Sequence, residues 1–283
     1  MAQSAPRMTQ AEAQALCRIA HEESGVAIAP GKRAFLEMRI GRRLREIGCE
    51  DYRHYLQLLE GSDSRGERAR LVEALTTHTT AFFRERAHFD WLAEKGLPAL
   101  LEQGAGQGAP LTIWSAACSL GSEMWTAAMV TDRRLRTLRP GCDWAVIGTD
   151  ISRRILRRAA LAVFSADEIA DLPEDFRRDY LLRARARAGA QPARFRIVQQ
   201  LRSRARLAHA NLVNLSPALT LTADVIFLRN VLIYFSHEDQ RRAITQVIAR
   251  LRPGGYLLTG HSESLTSIPE GLRQVGSSIY RKE

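Results

Sequence analysis

Lysine is scarce in this sequence: only Lys32, Lys95 and Lys282 occur among 41 basic residues, and all the others are arginines. The arginines are spread along the whole chain, a pattern that genome composition also produces. A formal net charge of +10 over 283 residues invites nucleic-acid binding. A dispersed charge, however, does not form the basic patch that such binding uses, so we expect no nucleic-acid partner.

Long apolar runs are also missing. No stretch approaches the roughly 18 apolar residues of a membrane helix, and the opening MAQSAPRMTQAEAQALC contains no apolar signal segment. The four cysteines show no CxxC spacing, which is typical of free thiols in a reducing compartment. The sequence therefore predicts a cytoplasmic protein without direct membrane insertion.

Several catalytic motifs are absent as well. There is no Walker A sequence for phosphoryl transfer and no G-x-G-x-x-G fingerprint for a dinucleotide. Ser262 does not lie in a G-x-S-x-G elbow, which argues against a hydrolase triad. His261 and Glu263 have no second histidine near them in the sequence, so we expect a loop hydrogen bond there and no metal site.

What the chain does have is ordinary globular composition, with 45% hydrophobic and 25% charged residues. Up to about residue 80 the apolar spacing is helical. The segment GKRAFLEMRIGRRLREIG carries Leu36, Ile40, Leu44 and Ile47 on one side and arginines on the other. No strand pattern interrupts this region, which predicts a small all-helical domain.

From about residue 110 apolar strands alternate with helices. The runs LTIWSAA, WAVIGTD, ARLAHAN, ADVIFLRN, GYLLTG and SSIYRK read as strands, and Ser152 is a candidate cap for the helix SRRILRRAALAVF. The helix SHEDQRRAITQVIARLRPGG has a possible capping box of Ser236 and Asp239, and Pro253-Gly254-Gly255 is expected to end it. This alternation predicts a doubly wound parallel sheet.

In such sheets ligands bind beyond the carboxyl ends of the strands. The first strand is followed by the small-residue turn CSLGS and a helix N-terminus, and the second ends at Asp150, whose carboxylate can accept both hydroxyls of a ribose. An acid with a small-residue turn fits S-adenosylmethionine better than NAD. The alternative is a purely structural role, in which Asp150 only caps the following helix.

Five blocks of the sequence, in order, resemble the CheR family of chemotaxis receptor methyltransferases. They are TTHTTAFFRERAHF, IWSAACSLGSEMWTAAM, IGTDIS, DVIFLRNVLIYF and LRPGGYLLTGHSES. The resemblance implies an all-helical domain over residues 1–85 and an S-adenosylmethionine-binding, Rossmann-like methyltransferase domain over 86–283. It also implies a small antiparallel β insertion at about 165–205.

The resemblance further implies which residues form the site. Arg84 and Tyr234 are the expected catalytic pair facing the reacting methyl group, although Tyr234 could instead be core and Arg84 could pair with Glu85. The expected cofactor-binding residues are His78, Thr80, Arg84, Glu123, Asp150, Asn211, Leu212, Arg229 and Asn230. His78 stands where the family usually has asparagine, Ser122 replaces the first Glu of its Gly-Glu-Glu, and Ser152 replaces the second acid of its Asp-Ile-Asp.

The implied activity is methyl transfer to glutamate side chains of a chemoreceptor's cytoplasmic helical bundle, by a monomeric enzyme. The basic side of the second helix is the expected docking surface for that acidic substrate, unless it is only a solvated helix face; its residues are Arg33, Arg39, Arg42 and Arg43. Two alternatives remain at this point. One is a non-catalytic relative that binds the cofactor and a protein partner, and the other, weaker because no prolines follow Asn230, is an amine-directed methyltransferase.

Overall fold

The computed structural model describes residues 7–29, 31–62, 64–184, 193–263, 265 and 268–283. The chain forms two compact units. The first consists of Met1–Thr77 with Tyr234–Arg241, and the second of His78–Ile233 with Arg242–Glu283. In the part of the chain just defined, no helix combines the length and the apolar character needed to cross a membrane.

The first unit contains the predicted helices α1 Gln10–Ser24, α2 Arg33–Ile47, α3 Tyr52–Glu60 and α4 Arg65–Leu75. Local sequence sets their ends. Thr9 forms a capping box with Glu12 at the start of α1, and Gly25 ends that helix with a φ of 76°. The apolar side of α2 is buried as predicted at Leu36, Ile40 and Leu44.

A short segment from late in the chain completes the first unit. Phe235 makes a β-bridge to Val26, and the carboxylate of Asp239 lies 2.8 Å from the Nε2 atom of His21. One of the two bonds of the predicted capping box of Ser236 and Asp239 is confirmed, since the Asp239 N–H donates to Ser236 Oγ at 3.1 Å.

The second unit is an α/β domain. Its strands are β1 Leu111–Ala116, β2 Trp144–Asp150, β3 Val163–Ser165, β4 Leu181–Arg183, β5 Arg194–Ile197, β6 Ala205–His209, β7 Ala223–Leu228, β8 Leu251–Thr259, β9 Leu272–Gly276 and β10 Ile279–Lys282. Its helices are α5 Ala87–Trp91, α6 Leu97–Glu102, α7 Ser122–Leu138, α8 Arg153–Leu161, α9 Glu174–Tyr180, α10 Gln199–Arg202 and the greater part of α11 His237–Ile248. A π-helical turn, Leu92–Gly96, joins α5 to α6.

Seven strands form the main sheet, in the order β6-β2-β1-β7-β8-β10-β9. The first five strands of that order pair in parallel, while β10 is antiparallel to both β8 and β9. The chain winds outward from β1 through β2 to β6 and then returns to the other side of β1 as β7. This reversal of strand order lies between β1 and β7, where doubly wound sheets bind their ligands.

The small antiparallel insertion is also confirmed: β3, β5 and β4 form a separate three-stranded sheet. Residues 185–192 of the predicted insertion lie outside the described residues. The Ser152 cap is confirmed as well, because Ser152 Oγ accepts a hydrogen bond from the Ile155 N–H at 3.2 Å.

Three boundaries differ from the sequence prediction. Val163 and Phe164, expected at the end of a helix, begin β3 because Ala162 turns with a φ of 52°. Helix α11 ends at Ile248, and Pro253-Gly254-Gly255 lies inside β8 instead of ending the helix. A register shift between β7 and β8 accommodates these residues. Strand β9, which carries polar residues at two of five positions, was not predicted.

Candidate functional site

The turn after β1 is shaped by backbone conformation. Ala117, Ser119 and Gly121 all have positive φ, at 64°, 51° and 92°. A Cβ atom on Gly121 would meet the indole ring of Trp125 at 3.1 Å, so a larger residue would be both strained and crowded. The turn feeds directly into the N-terminus of α7, where backbone N–H groups are available to a ligand.

Asp150 holds this turn in place. One carboxylate oxygen accepts a hydrogen bond from the Ser119 N–H and the other from the Ser152 N–H, each at 2.9 Å. The side chain is buried, with 6% exposure. Since Ser152 itself caps α8, the alternative in which Asp150 only caps that helix is wrong. A carboxylate has about four acceptor positions, so Asp150 retains capacity for ligand hydroxyls.

Asn211 and Leu212 follow β6, which pairs with β2 so that Asp150 lies opposite His209. The Ala210 N–H donates to the Asp150 carbonyl at 3.1 Å. Asn211 Oδ1 accepts from the Val213 N–H at 3.0 Å, and Leu212 is buried. The structure thus brings two more of the predicted cofactor-binding residues close to Asp150, the acid predicted to bind ribose hydroxyls.

Glu123 and Arg229 form a buried ion pair between α7 and the end of β7. Glu123 Oε1 accepts from Ser115 Oγ at 2.7 Å, and Oε2 accepts from Arg229 Nη1 at 3.2 Å. Burial raises the pKa of Glu123, while the positive charge of Arg229 opposes that rise. The arrangement places a carboxylate just beneath the small-residue turn.

Arg229 also binds the segment that carries Arg84. Its Nη2 atom lies 3.2 Å from Glu85 Oε2 and donates to the Arg84 carbonyl oxygen at 2.5 Å. Burial raises the pKa of Glu85, but Arg229 and Asn230 outweigh that effect and the pKa is lowered overall. Arg229 is 4% exposed, so its main observed role is to organise the acidic groups around it.

Asn230 and its neighbours are fixed by Glu263, a residue that the sequence analysis considered only for a metal. The Asn230 N–H donates to Glu263 Oε2 at 2.5 Å, and the Gly260 N–H donates to the same oxygen at 3.1 Å. Glu263 Oε1 accepts from the Ile233 N–H at 3.2 Å. Burial raises the pKa of Glu263, against these backbone donors. Its position just after a buried strand was the available signal.

The segment from His78 to Glu85 borders the turn. The His78 carbonyl accepts from Ser119 Oγ at 3.1 Å, and Thr80 is half-buried. Phe83 is buried, has a φ of 53° and donates its N–H to Thr126 Oγ1 at 3.3 Å. Between these anchors the Arg84 side chain is exposed and donates to the Thr79 carbonyl at 3.3 Å. Glu85 pairs with Arg229, and no Arg84–Glu85 ion pair occurs among the described residues.

Tyr234 belongs to the first unit. It ends a short 3₁₀ helix, Leu232–Tyr234, and its carbonyl accepts from the Ala27 N–H at 2.7 Å. The side chain is half-buried, so it is not a core residue. Its hydroxyl makes no hydrogen bond to any residue that the structure describes.

The predicted docking arginines of α2 have carboxylate neighbours of their own. Arg33 lies 3.9 Å from Glu37 and Arg42 lies 3.2 Å from Glu46, with both arginines well exposed. Arg43 donates to both oxygens of Glu67, at 2.9 and 2.7 Å. Arg39 lies over the Phe35 ring at 5.3 Å. Arg33 and Arg42 are therefore the more accessible charges of this face.

The described residues fit S-adenosylmethionine. Asp150 has a buried carboxylate that can accept from sugar hydroxyls, half-buried Glu123 has a second that can face a cationic group, and the small-residue turn leaves room for backbone contact. Glu123 follows β1, which borders the reversal of strand order, and Asp150 ends the adjacent strand β2.

Comparison with known proteins agrees with this geometry. The family model for the S-adenosylmethionine-binding domain of CheR methyltransferases matches residues 78–281, and the model for their all-alpha domain matches residues 11–76. A chemotaxis protein methyltransferase of Escherichia coli K12 is 30% identical over 96% of this chain and 91% of its own length. A protein of the same name from Klebsiella aerogenes is 31% identical over 99% of this chain and 92% of its own. Chemotaxis protein methyltransferase 2 of Pseudomonas aeruginosa is 32% identical over 91% and 88%. The chain therefore belongs to the CheR methyltransferase family, with S-adenosylmethionine as its cofactor.

Proposed function

We propose that this protein methylates glutamate side chains in the cytoplasmic helical bundle of chemoreceptors, giving glutamate methyl esters. The observation that carries the proposal is the presence of buried Asp150 and half-buried Glu123 after two adjacent strands of the sheet, with an exposed Arg84 on the neighbouring segment. The relatives are named chemotaxis protein methyltransferases, which supports a substrate that belongs to chemotaxis.

The chemistry demands little acid–base machinery. When bound, S-adenosylmethionine supplies an electrophilic methyl group on a sulfonium. A glutamate side chain has a reference pKa near 4.3, so the acceptor is already ionised at neutral pH. The site therefore needs no general base, and the task of the protein is to place and orient the acceptor.

We assign that task to Arg84 and Tyr234. Arg84 is held at its backbone by buried neighbours while its guanidinium points out of the core, which suits a group that meets an incoming carboxylate. The contact must stay loose, because a tight bidentate pair would stabilise the ground state more than the transition state. The Tyr234 hydroxyl offers a neutral hydrogen bond for the same purpose.

The ion pairs of Arg229 hold the segment that carries Arg84, and thereby fix the place where the substrate carboxylate would bind. Glu123 and Glu85 neutralise Arg229, so this guanidinium does not compete with Arg84 for the substrate. Asp150, Asn211 and Leu212 would hold the nucleoside, and Glu123 the charged tail of the cofactor. His78 and Thr80 would border it through the segment that bonds Ser119.

Substrate docking would fall to the helical unit, through Arg33, Arg39 and Arg42. The transfer would fall to the unit that begins at His78 and contains Thr80 and Arg84, in the cytoplasm and as a monomer. Arg43 contributes less to docking because Glu67 already neutralises it.

Two measurements test the proposal in sequence. Calorimetry with S-adenosylhomocysteine should give 1:1 binding, and tritiated S-adenosylmethionine should then label a purified receptor cytoplasmic fragment. The matched control is a receptor fragment in which the candidate glutamates are changed to glutamine, under conditions where these glutamines are not deamidated. This fragment should stay unlabelled. Binding without labelling of the wild-type fragment would instead identify a non-catalytic binding module.

A further inference from the structure

Three side chains outside the cofactor-binding set meet at the edge of the second unit. Glu85, His88 and His261 each present one potential metal ligand, and these three atoms all lie within 4.8 Å of one another. The sequence has no second histidine close to His261. The fold supplies one, His88, from helix α5, which is far away in the chain. The imidazole rings of His88 and His261 pack edge to face, with centroids 4.9 Å apart.

His88 has no satisfactory role in the fold by itself. It is 1% exposed, and neither ring nitrogen has a hydrogen-bond partner among the described residues. The backbone of Ser277 faces the ring, but no hydrogen bond of normal geometry joins them. Buried polar atoms are nearly always paired, so an unpaired imidazole indicates a missing partner.

The ring is in the right chemical state to bind a metal. Burial, with Arg229 second, lowers the pKa of His88 to about 4, which leaves the imidazole neutral at pH 7. A neutral imidazole has one nitrogen lone pair free for a cation, and its other N–H commonly donates to a backbone carbonyl.

The distances match a tetrahedral site. Glu85 Oε2 lies 3.5 Å from His88 Nδ1 and 3.9 Å from His261 Nε2. Ligands of a tetrahedral zinc ion, each at about 2.1 Å from the metal, are separated by roughly 3.4 Å. Small side-chain adjustments would therefore bring all three atoms onto one ion.

Charge in the neighbourhood permits a cation. Arg229 Nη2 lies 3.2 Å from Glu85 and opposes a second positive charge. Glu123 also pairs with Arg229, at 3.2 Å, and Glu263 acts electrostatically on the same cluster. Two carboxylates thus pair with one guanidinium, which leaves Arg229 largely neutralised beside the cluster.

We propose that Glu85, His88 and His261 bind a zinc ion that clamps the segment after Arg84 to the loop after β8. Two imidazole nitrogens and one carboxylate oxygen suit zinc, whereas magnesium and calcium prefer oxygen ligands alone. The half-exposed His261 provides the entry path, and water fills the fourth position. The site shares Glu85 with the ion pair of Arg229, and its test therefore reads zinc binding and stability, which do not depend on methyl transfer.

The test uses the full chain without a histidine tag, stripped with a chelator. Calorimetry with ZnCl₂ should show one site per chain, and zinc but not magnesium should raise the midpoint of thermal unfolding. His261→Ala changes an exposed side chain and should weaken zinc binding at least tenfold while the apo protein keeps its unfolding midpoint. The matched control His54→Ala removes an exposed histidine of α3 and should bind zinc like the wild type.

A second variant covers the buried ligand. His88→Gln, checked for folding by circular dichroism, should lose the zinc-induced rise in unfolding midpoint. Wild-type protein that binds no zinc at micromolar concentration overturns the proposal. So does an affinity that is unchanged in His261→Ala, or equally reduced in His54→Ala.

Discussion

At the residue scale, the acids of the site were the easiest features to anticipate. Asp150 ends an apolar strand, and a parallel strand of the doubly wound sheet delivers such a residue to the ligand edge. The partners of Arg229 could not be predicted in the same way. Glu123 lies 106 residues earlier in the chain, and only the folded sheet brings the two side chains together.

Asp150 should be sensitive to loss of one oxygen acceptor. In Asp150→Asn the amide NH₂ faces the N–H of Ser119 or Ser152, so one hydrogen bond becomes a repulsive contact. We expect a loss of about 1–3 kcal/mol in unfolding free energy and weaker binding of S-adenosylhomocysteine, measured by denaturation and calorimetry. Asp143→Asn, at an exposed acid just before the same strand, is the control and should change neither. Equal behaviour of the two variants would remove Asp150 from the site.

Arg84 should matter for turnover and not for folding. Because its side chain is exposed, Arg84→Ala should leave the unfolding midpoint nearly unchanged. Turnover on the receptor fragment should fall on the order of 10- to 100-fold, since the acceptor is then poorly oriented. Arg86→Ala removes a second exposed arginine two positions away, paired with Asp90, and should keep most activity. A normal turnover rate in Arg84→Ala would exclude its proposed role.

At the scale of elements, helix ends were predicted well where capping is local. Ser152 and Ser236 each accept from a backbone N–H within three residues of their own position. The start of β8 was missed because Pro253-Gly254-Gly255 normally indicates a helix end or turn. Here pairing with β7 and a register shift keep these residues in a strand, and such long-range pairing leaves no local pattern in the sequence.

The helical unit contains a charge network that links α2, α3 and α4. Glu67 accepts from Arg43 and, at 2.8 Å, from the Tyr55 hydroxyl. Burial raises the pKa of Glu67, but the hydrogen bonds from Arg43 and Tyr55 outweigh it and the pKa is lowered from 4.5. Burial also raises the pKa of Tyr55 far above its ordinary value, so this hydroxyl remains a donor.

A pH dependence follows from this network. Since the pKa of Glu67 is lower in the folded state, its contribution to stability is complete above the ordinary value of 4.5 and is lost as pH falls through the lowered value. Unfolding free energy, measured by urea denaturation from pH 7 to pH 3, should therefore decline less steeply in Glu67→Gln than in wild type. Glu60→Gln, at an exposed site on α3, should keep the wild-type slope. Identical slopes in all three proteins would contradict the assignment.

Because Arg43 belongs to this charge network, docking of the receptor on α2 has to be tested at other arginines. Reversing Arg43 would disturb the fold, so the informative variant is Arg33→Glu with Arg42→Glu, at two exposed positions of α2. We expect KM for the receptor fragment to rise on the order of tenfold with little change in kcat, and the difference to shrink at high salt. Arg18→Glu with Arg53→Glu reverses two exposed charges away from α2 and should leave KM nearly unchanged. An equal rise in both double variants would show a general charge effect and no docking face.

At the scale of the whole molecule, composition and charge said little about function. The net charge of +10 arises from arginines, several of which are already paired with Asp or Glu, as in the Arg133 pairs with Asp175 and Asp179. Fold class and the order of the motifs were far more informative, because a doubly wound sheet places strand-end residues together wherever they lie in the sequence. His261 follows β8 at this same edge, but His88 comes from α5, and only the structure brings these two histidines together.

The most direct test of the account is the chemical nature of the transferred group. A receptor cytoplasmic fragment incubated with this protein and tritiated S-adenosylmethionine should become labelled, and mild base should release that label as volatile methanol, because a glutamate methyl ester is readily hydrolysed. The Arg84→Ala variant should label the fragment far more slowly. Label that resists base, or a fragment that stays unlabelled although S-adenosylhomocysteine binds, would contradict carboxylate methylation by this site.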